Sequence, residues 1–281
     1  YWVYLFRFIA GIGAGGEYGA CMSLISETFS KKQIGRASSV AGIGAQVGAA
    51  LAAVLAAIVI PWLGWKMLYV IGVLPVLMVL FIRRGLKEPE VFKETQATGK
   101  TTKLSRLFET RHLAWQTMGL CIMVTVQIAG YFGLMNWLPS IMQAQLGLSV
   151  SGSSLWMVST IAGMSLGMLT FGIIMDKLGP RTAFTLFLIC SSLSVFLLVL
   201  ARSQWSLIAA AVVVGYFING MYGGYGAIIS SLYPTEIRAT ANNFIMNLGR
   251  AIGGFSSIII GFLMDHYQLG AVILFLSSIY L

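Results

Sequence analysis

Arg7-Phe-Ile-Ala-Gly-Ile-Gly-Ala-Gly-Gly-Glu-Tyr-Gly19 places an arginine and a glutamate inside a run otherwise too apolar for anything but a membrane helix. Charges at membrane depth are expensive, so they face a bundle interior or a watery cavity and mark a pathway. Gly11, Gly15 and Gly19 recur at four-residue spacing, a stripe of small residues that lets a second helix approach closely. Close packing and buried charge on one helix point to a transport site rather than a simple anchor. Gly11-Ile-Gly-Ala-Gly superficially matches a dinucleotide-binding turn, but no strand precedes it and the surrounding helix is apolar, so that reading is rejected.

The whole chain fits this first stretch. Of its 281 residues 58% are hydrophobic and only 10% charged, against about 25% charged in soluble domains. Apolar segments of about 20 residues mean membrane helices, where a barrel would alternate in segments of about 10. Spanning helices are expected near 2–28, 36–60, 66–83, 113–138, 153–175, 182–200, 205–231 and 240–264, with a ninth beginning at about 270. Tyr1 already lies in an apolar run and Leu281 ends one, so the sequence reads as part of a longer chain. Cys21, Cys121 and Cys190 are isolated and form no CxxC pair; they read as ordinary buried thiols. No metal cluster, cofactor motif or nucleophile–base pair stands out, so an enzyme is not expected.

Basic residues then set the orientation, because cytoplasmic loops are enriched in Lys and Arg. Alternate connections hold Lys31, Lys32 and Arg36; Arg83, Arg84, Lys87, Lys93, Lys100, Lys103, Arg106 and Arg111; Lys177 and Arg181; and Arg238. That is 14 of the 18 basic residues, against Lys66 and Arg202 in the other set, with Arg7 and Arg250 inside helices. The net charge of +9 therefore records topology and does not call for a nucleic-acid partner. The first helix enters from outside. Residues 1–83 form a first group of helices, 84–112 a polar cytoplasmic linker with amphipathic character near Val91–Phe92 and Leu104–Leu107–Phe108, and 113–281 a second group.

A weak internal repeat links the two groups. Gly15-Gly-Glu-Tyr-Gly-Ala20 resembles Gly223-Gly-Tyr-Gly-Ala227 with one gap. Each is followed by a polar turn with an arginine, Arg36 or Arg238, and then by a Gly-x-x-x-Gly step, Gly44/Gly48 or Gly249/Gly253. Parallel repeats of six helices are one way transporters are built.

The tightest short motif is Gly172-Ile-Ile-Met-Asp-Lys-Leu-Gly-Pro-Arg181. An acid at a helix end, Asp176, lies beside two bases, Lys177 and Arg181, with glycines permitting a tight turn. Such a cluster can lock helices by ion pairs that break when they rock apart. The pattern resembles the loop signature of the major facilitator superfamily, in the copy between its eighth and ninth helices. The opening R-x-x-x-G-x-G-x-G is similar to that superfamily's fourth-helix signature. Ser26-Glu27 with Gly35-Arg36, the degraded Lys87-Glu-Pro-Glu-Val-Phe92, and Tyr233-Pro-Thr-Glu-Ile-Arg238 resemble motifs of its sugar-porter-like branch. Within that branch, Gly-Gly-Glu-Tyr and Gly130-Tyr-Phe-Gly-Leu-Met-Asn-Trp-Leu-Pro139 look most like proton symporters of organic acids, such as sialate or aromatic-acid carriers.

The resemblance implies an all-α polytopic membrane protein with the major facilitator fold. Two pseudo-symmetric six-helix halves would be present, the first incomplete, with this chain as helices four to twelve. It also implies alternating access about a site near the bilayer midplane, with Glu27, Arg36, Asp176, Lys177, Arg181, Glu236 and Arg238 in the cytoplasmic gate cluster. In the family the arginine matching Arg7 takes part in proton coupling. Gly42-Ile-Gly-Ala-Gln-Val-Gly48 lacks the Gly-Pro of the antiporter signature, which favours uptake by symport.

Depth places the remaining candidates. Glu17 lies about 16 Å from the cytoplasmic end of its helix at about 1.5 Å per residue, which makes it a candidate proton carrier. Arg250 sits at similar depth without an acid on its own stretch of helix, and a guanidinium fork suits a substrate carboxylate; a fixed pair with Glu17 is the alternative. Gln127, Tyr131, Asn136, Tyr216, Asn219, Tyr222 and Asn247, with Gln46 and Tyr18 as weaker candidates, are polar or amphipathic groups in apolar helices. They can line the same cavity or join helices by hydrogen bonds. His112 and His266 read as interfacial. The expected function is a monomeric, proton-coupled symporter in the cell membrane that imports a small organic anion. A sugar or polyol symporter, an uncoupled facilitator and a transporter-like nutrient receptor are the alternatives.

Overall fold

A computed structural model describes residues 2–30, 32–64, 66–75, 78–79, 103–146, 150–201, 203–267 and 269–281, with side chains throughout these except at 7, 53–54, 56–57, 60–61, 134, 136, 138–146 and 150–158. Among the described residues the regular structure is entirely helical. The first group comprises α1 (Trp2–Thr28), α2 (Ile34–Leu63) and α3 (Lys66–Ile71). A 3-10 turn at Leu104–Phe108 leads into the second group. This begins with α4 (Arg111–Leu146), α5 (Val150–Leu178), α6 (Pro180–Ser194) and α7 (Leu197–Leu200). It continues through α8 (Gln204–Gly220), α9 (Tyr222–Leu232), α10 (Thr235–Gly254), α11 (Ser256–His266) and α12 (Leu269–Ile279).

Six described stretches are long and apolar enough to cross a membrane: Trp2–Thr28, Arg111–Gly133, Ser159–Leu178, Pro180–Leu200, Gln204–Leu232 and Thr235–His266. Each falls on a span expected from the sequence. Within the expected helix at 66–83, Lys66–Ile71 is followed by a turn at Gly72–Val73 and by helix again at 74–75 and 78–79, and the other positions lie outside the described residues. Val91–Phe92 and most of the linker lie outside the described residues. At its far end Leu107 is wholly buried, so Leu104–Phe108 packs onto the second group rather than lying free.

Paired elements such as α8 and α9 are single spanning rods with a local tightening. Met221 keeps a right-handed helical backbone, and the Gly224 N–H donates to the Met221 carbonyl three residues back at 3.0 Å. Phe255 joins α10 to α11 in the same way, with Ile258 N–H donating to its carbonyl at 3.0 Å. Short 3-10 segments inside a helix mark hinges or constrained sequence. Between α5 and α6 the chain turns sharply at Gly179, whose φ of +85° suits glycine. Pro180 then takes the first helical position, where its missing N–H costs nothing.

The core sits in the second group. Phe171 of α5 lies edge-on to Phe184 and Phe187 of α6, both with ring centroids at 4.9 Å, and Phe184 reaches Tyr225 of α9 at 5.0 Å. Helices α5 and α8 approach closely at Gly163 and Gly167, which lie against the backbone of Val212 and Tyr216. The step at Gly249/Gly253 packs on Val124, Thr125, Ile128 and Ala129 of α4, whereas a side chain at Gly44 or Gly48 would meet open space.

The two groups meet at one end of the bundle, where α1, α5 and α9 finish and α2, α6 and α10 begin. Gly19 of α1 lies on Ala239 and Asn243 of α10; Gly223 of α9 lies on Ser39 of α2. Under the sequence repeat these two helix pairings exchange places, since α1 corresponds to α8–α9 and α2 to α10. Away from this end α1 is largely exposed, with Phe6, Phe8 and Ile12 all open.

Among the described residues the three cysteines are free, but only Cys121 is buried; Cys190 is intermediate and Cys21 exposed, contrary to the expectation of three buried thiols. His112 and His266 are exposed, as interfacial residues would be. The α5–α8 approach yields a test. Gly167→Leu should lower stability by about 1–3 kcal/mol, the usual cost of overpacking, and thermal unfolding in detergent will show it as a reduced midpoint.

Candidate functional site

Between α2, α4, α8, α9 and α10 lies a cavity of about 260 Å³. Its polar lining is Gln46, Gln127, Tyr131, Asn219, Tyr222 and Arg250; its apolar lining is Ala45, Ala49, Ile128 and Phe132. The tightened junction between α8 and α9 brings Asn219 and Tyr222 to the same wall, three residues apart across Met221.

Arg250 carries the charge of this site. Its Nη2 donates to the Tyr222 hydroxyl at 2.6 Å. The guanidinium carbon lies 5.8 Å from the centre of the Tyr18 ring, and the Tyr18 and Tyr222 rings are 6.0 Å apart. Tyr18 belongs to the first group of helices and Tyr222 to the second, so Arg250 is held between the two. Among the described residues no carboxylate is ion-paired with it. The alternative pairing with Glu17 is not made: Glu17 lies on the exposed face of α1, about 100° of helix rotation from Tyr18. A cation held by neutral groups beside a cavity is suited to an anionic visitor.

Opposite walls contribute amides. Gln127 of α4 is wholly buried, and its Nε2 donates to Asn219 Oδ1 at 3.2 Å and to the Ile218 carbonyl at 3.4 Å. Gln127 Oε1 and Asn219 Nδ2 have no hydrogen-bond partner among the described residues.

The structure sends other sequence candidates elsewhere. Tyr216 stacks on Phe187 of α6, with centroids 5.8 Å apart, and does not line the cavity. Asn247 donates from Nδ2 to the Gly15 carbonyl at 2.7 Å, joining α10 to α1. Arg7 and Asn136 lie in helices, but their side chains are outside the described residues. Asn243 was not anticipated. Its Oδ1 accepts from the Gly19 N–H at 2.6 Å and its Nδ2 donates to the Gly16 carbonyl at 3.1 Å. The spacing of Asn243 and Asn247 by one helical turn, facing a glycine stripe, was the available signal.

The gate candidates form two clusters between the groups of helices. Asp176, with a side chain 4% exposed, accepts from the backbone N–H of Gly35 at 3.0 Å and of Arg36 at 3.2 Å, and lies 3.5 Å from Arg36 Nε. A carboxylate at the first turn of α2 satisfies orphan donors and complements the helix dipole. Its ionic partner is thus Arg36, not the adjacent Lys177 or Arg181, which are exposed. In the second cluster Arg238 Nη1 lies 3.9 Å from Glu27 Oε1 and donates to Ser26 Oγ at 3.1 Å. Tyr233, at the start of the same motif, anchors it to α4 through a 2.6 Å bond between its hydroxyl and Thr117. Glu236 sits in the first turn of α10 without an ion pair among the described residues.

Comparison with known proteins supports the same architecture. The model of the Major Facilitator Superfamily matches residues 1–256. A Haemophilus influenzae protein named for metabolite transport is 35% identical over all of this chain, which spans 71% of that protein. The sialic acid transporter NanX of Escherichia coli is 30% identical over 97% of this chain and 67% of its own length. Among solved structures, the proton:xylose symporter XylE bound to 6-bromo-6-deoxy-D-glucose superposes with a TM-score of 0.70. That match covers 92% of this chain and 64% of XylE, and its 16% identity makes it a likeness of fold alone. A family of multi-pass membrane transporters, not of enzymes, accounts for the helices, the two-group plan and the clustered charges alike: the chain belongs to the Major Facilitator Superfamily.

Proposed function

We propose that the protein imports a small organic anion together with protons, by alternating access between its two groups of helices. The observation that carries this reading is Arg250, a guanidinium at the cavity wall bound to the Tyr222 hydroxyl and not ion-paired among the described residues. A partly buried charge at a cavity wall calls for a partner, and a substrate carboxylate supplies one only while it is bound. NanX, a relative named as a sialic acid transporter, supports the same class.

In this scheme the Asp176–Arg36 and Arg238–Glu27 clusters hold the basic end shut, and their separation opens it. The basic loops, with the linker at 84–112, face the cytoplasm, and the protein works as a monomer in the cell membrane. Arg7 and Glu17 serve proton coupling apart from Arg250, the cation that binds the substrate. Gln46, Gln127, Tyr131 and Asn219 complete the substrate wall.

Uptake into proteoliposomes tests the scheme. Arg250→Ala should weaken carboxylate binding by about 2 kcal/mol or more, roughly 30-fold, with protein yield unchanged. Undiminished uptake of acids would remove Arg250 from the site. Glu17→Gln should abolish accumulation driven by a pH gradient while sparing exchange of substrate across the membrane; persistent proton-driven accumulation would leave Glu17 with a structural role only. Asp176→Asn should populate the form open at the basic end, read as faster thiol labelling of a cysteine introduced at Ser39, and an unchanged rate would count against the gate.

A further inference from the structure

From the neutral side of the cavity we infer that the substrate carries a hydroxyl in addition to its carboxylate, read by Gln127 and Asn219. The inference rests on the anion site proposed at Arg250 and adds the second half of the ligand. Buried polar atoms are almost always paired, and these two side chains are 0% and 3% exposed. The bond from Gln127 Nε2 to Asn219 Oδ1 joins them and consumes one donor and one acceptor. What remains is Gln127 Oε1, an acceptor, and Asn219 Nδ2, a donor, on two side chains that line the cavity.

The Ile218 carbonyl fixes how the amides are oriented. Gln127 Nε2 donates to it at 3.4 Å, so turning Gln127 over would set two acceptor oxygens against each other. A single hydroxyl oxygen answers both, donating its proton to the free acceptor and accepting from the free donor. A second carboxylate can only accept, so it would leave one amide oxygen facing an anion without a proton between them. An apolar group would leave both amide groups unpaired, which costs the full desolvation of each. The dyad therefore selects a hydroxy-monocarboxylate over both its deoxy analogue and a dicarboxylate, and these two residues determine specificity.

Matched probes separate the three classes. One set is 3-hydroxybenzoate, benzoate and isophthalate; a second, flexible set is 6-hydroxyhexanoate, hexanoate and adipate. Binding to the purified whole protein is measured for both sets. In at least one of them the hydroxy acid should bind about tenfold more tightly than its deoxy and dicarboxylate partners. Gln127→Leu/Asn219→Leu, which removes both members together, should bring the ratio of hydroxy to deoxy affinity close to one. Equal binding within both sets, or preference for the dicarboxylate, overturns the inference while leaving the anion site intact. A ratio that survives in the double variant overturns the assignment to this dyad. If no acid in either set binds, the reading of Arg250 fails and this one falls with it. Should the double variant not be produced, the wild-type ratios still decide.

Discussion

A guanidinium inside a bilayer imposes the constraint around which this molecule is arranged. The Arg250 side chain carries five N–H donors and no acceptor, so the protein must supply polar company at membrane depth. Here it does so with a phenol and an aromatic face. Tyr222 comes from the same group of helices and Tyr18 from the other, so the charge is most fully accommodated while the two groups are together. The glycine contacts that let α1 and α9 approach their partners serve that accommodation, since a side chain at Gly19 or Gly223 would collide with Asn243 or Ser39.

Much of this was readable in the sequence because membranes impose strong local rules. Apolar length located the spans, and the alternation of basic loops brought Arg36, Asp176 and Arg238 to one end. Polar residues in apolar helices pointed to the cavity, but composition does not fix azimuth. A step of three residues rotates a side chain by about 60°. That rotation carries Tyr216 away from Asn219 toward α6, and Asn247 away from Arg250 toward α1. The same geometry parts Glu17 from Tyr18, its immediate neighbour, and leaves the carboxylate outside the site.

Pairing across the two groups was harder to foresee. The motif holding Asp176 invites a local reading with Lys177 and Arg181, yet the carboxylate turns to the start of α2 and meets two backbone amides and Arg36. Such a contact depends on tertiary placement, which no spacing within the motif encodes. Repeat symmetry offered the better clue. Because α1 corresponds to α8–α9 and α2 to α10, the contact of α1 with α10 implies one of α9 with α2, and both occur.

The asparagine on the glycine face of α1 has a further consequence. Among the described residues the hydrogen bonds of Asn243 to α1 run to the peptide groups of Gly16 and Gly19. It grips main chain, the one part of a helix that substitution cannot change. Side-chain identity along that face of α1 is therefore nearly irrelevant to the grip, with the single exception of Gly19, where any added atom blocks the approach. Being uncharged, this grip does not depend on ionic strength, whereas the Arg36–Asp176 pair, with its half-exposed arginine, is open to screening. The seam between the halves is thus fastened twice, by charged clusters at the bundle's end and by uncharged bonds to main chain farther along α1.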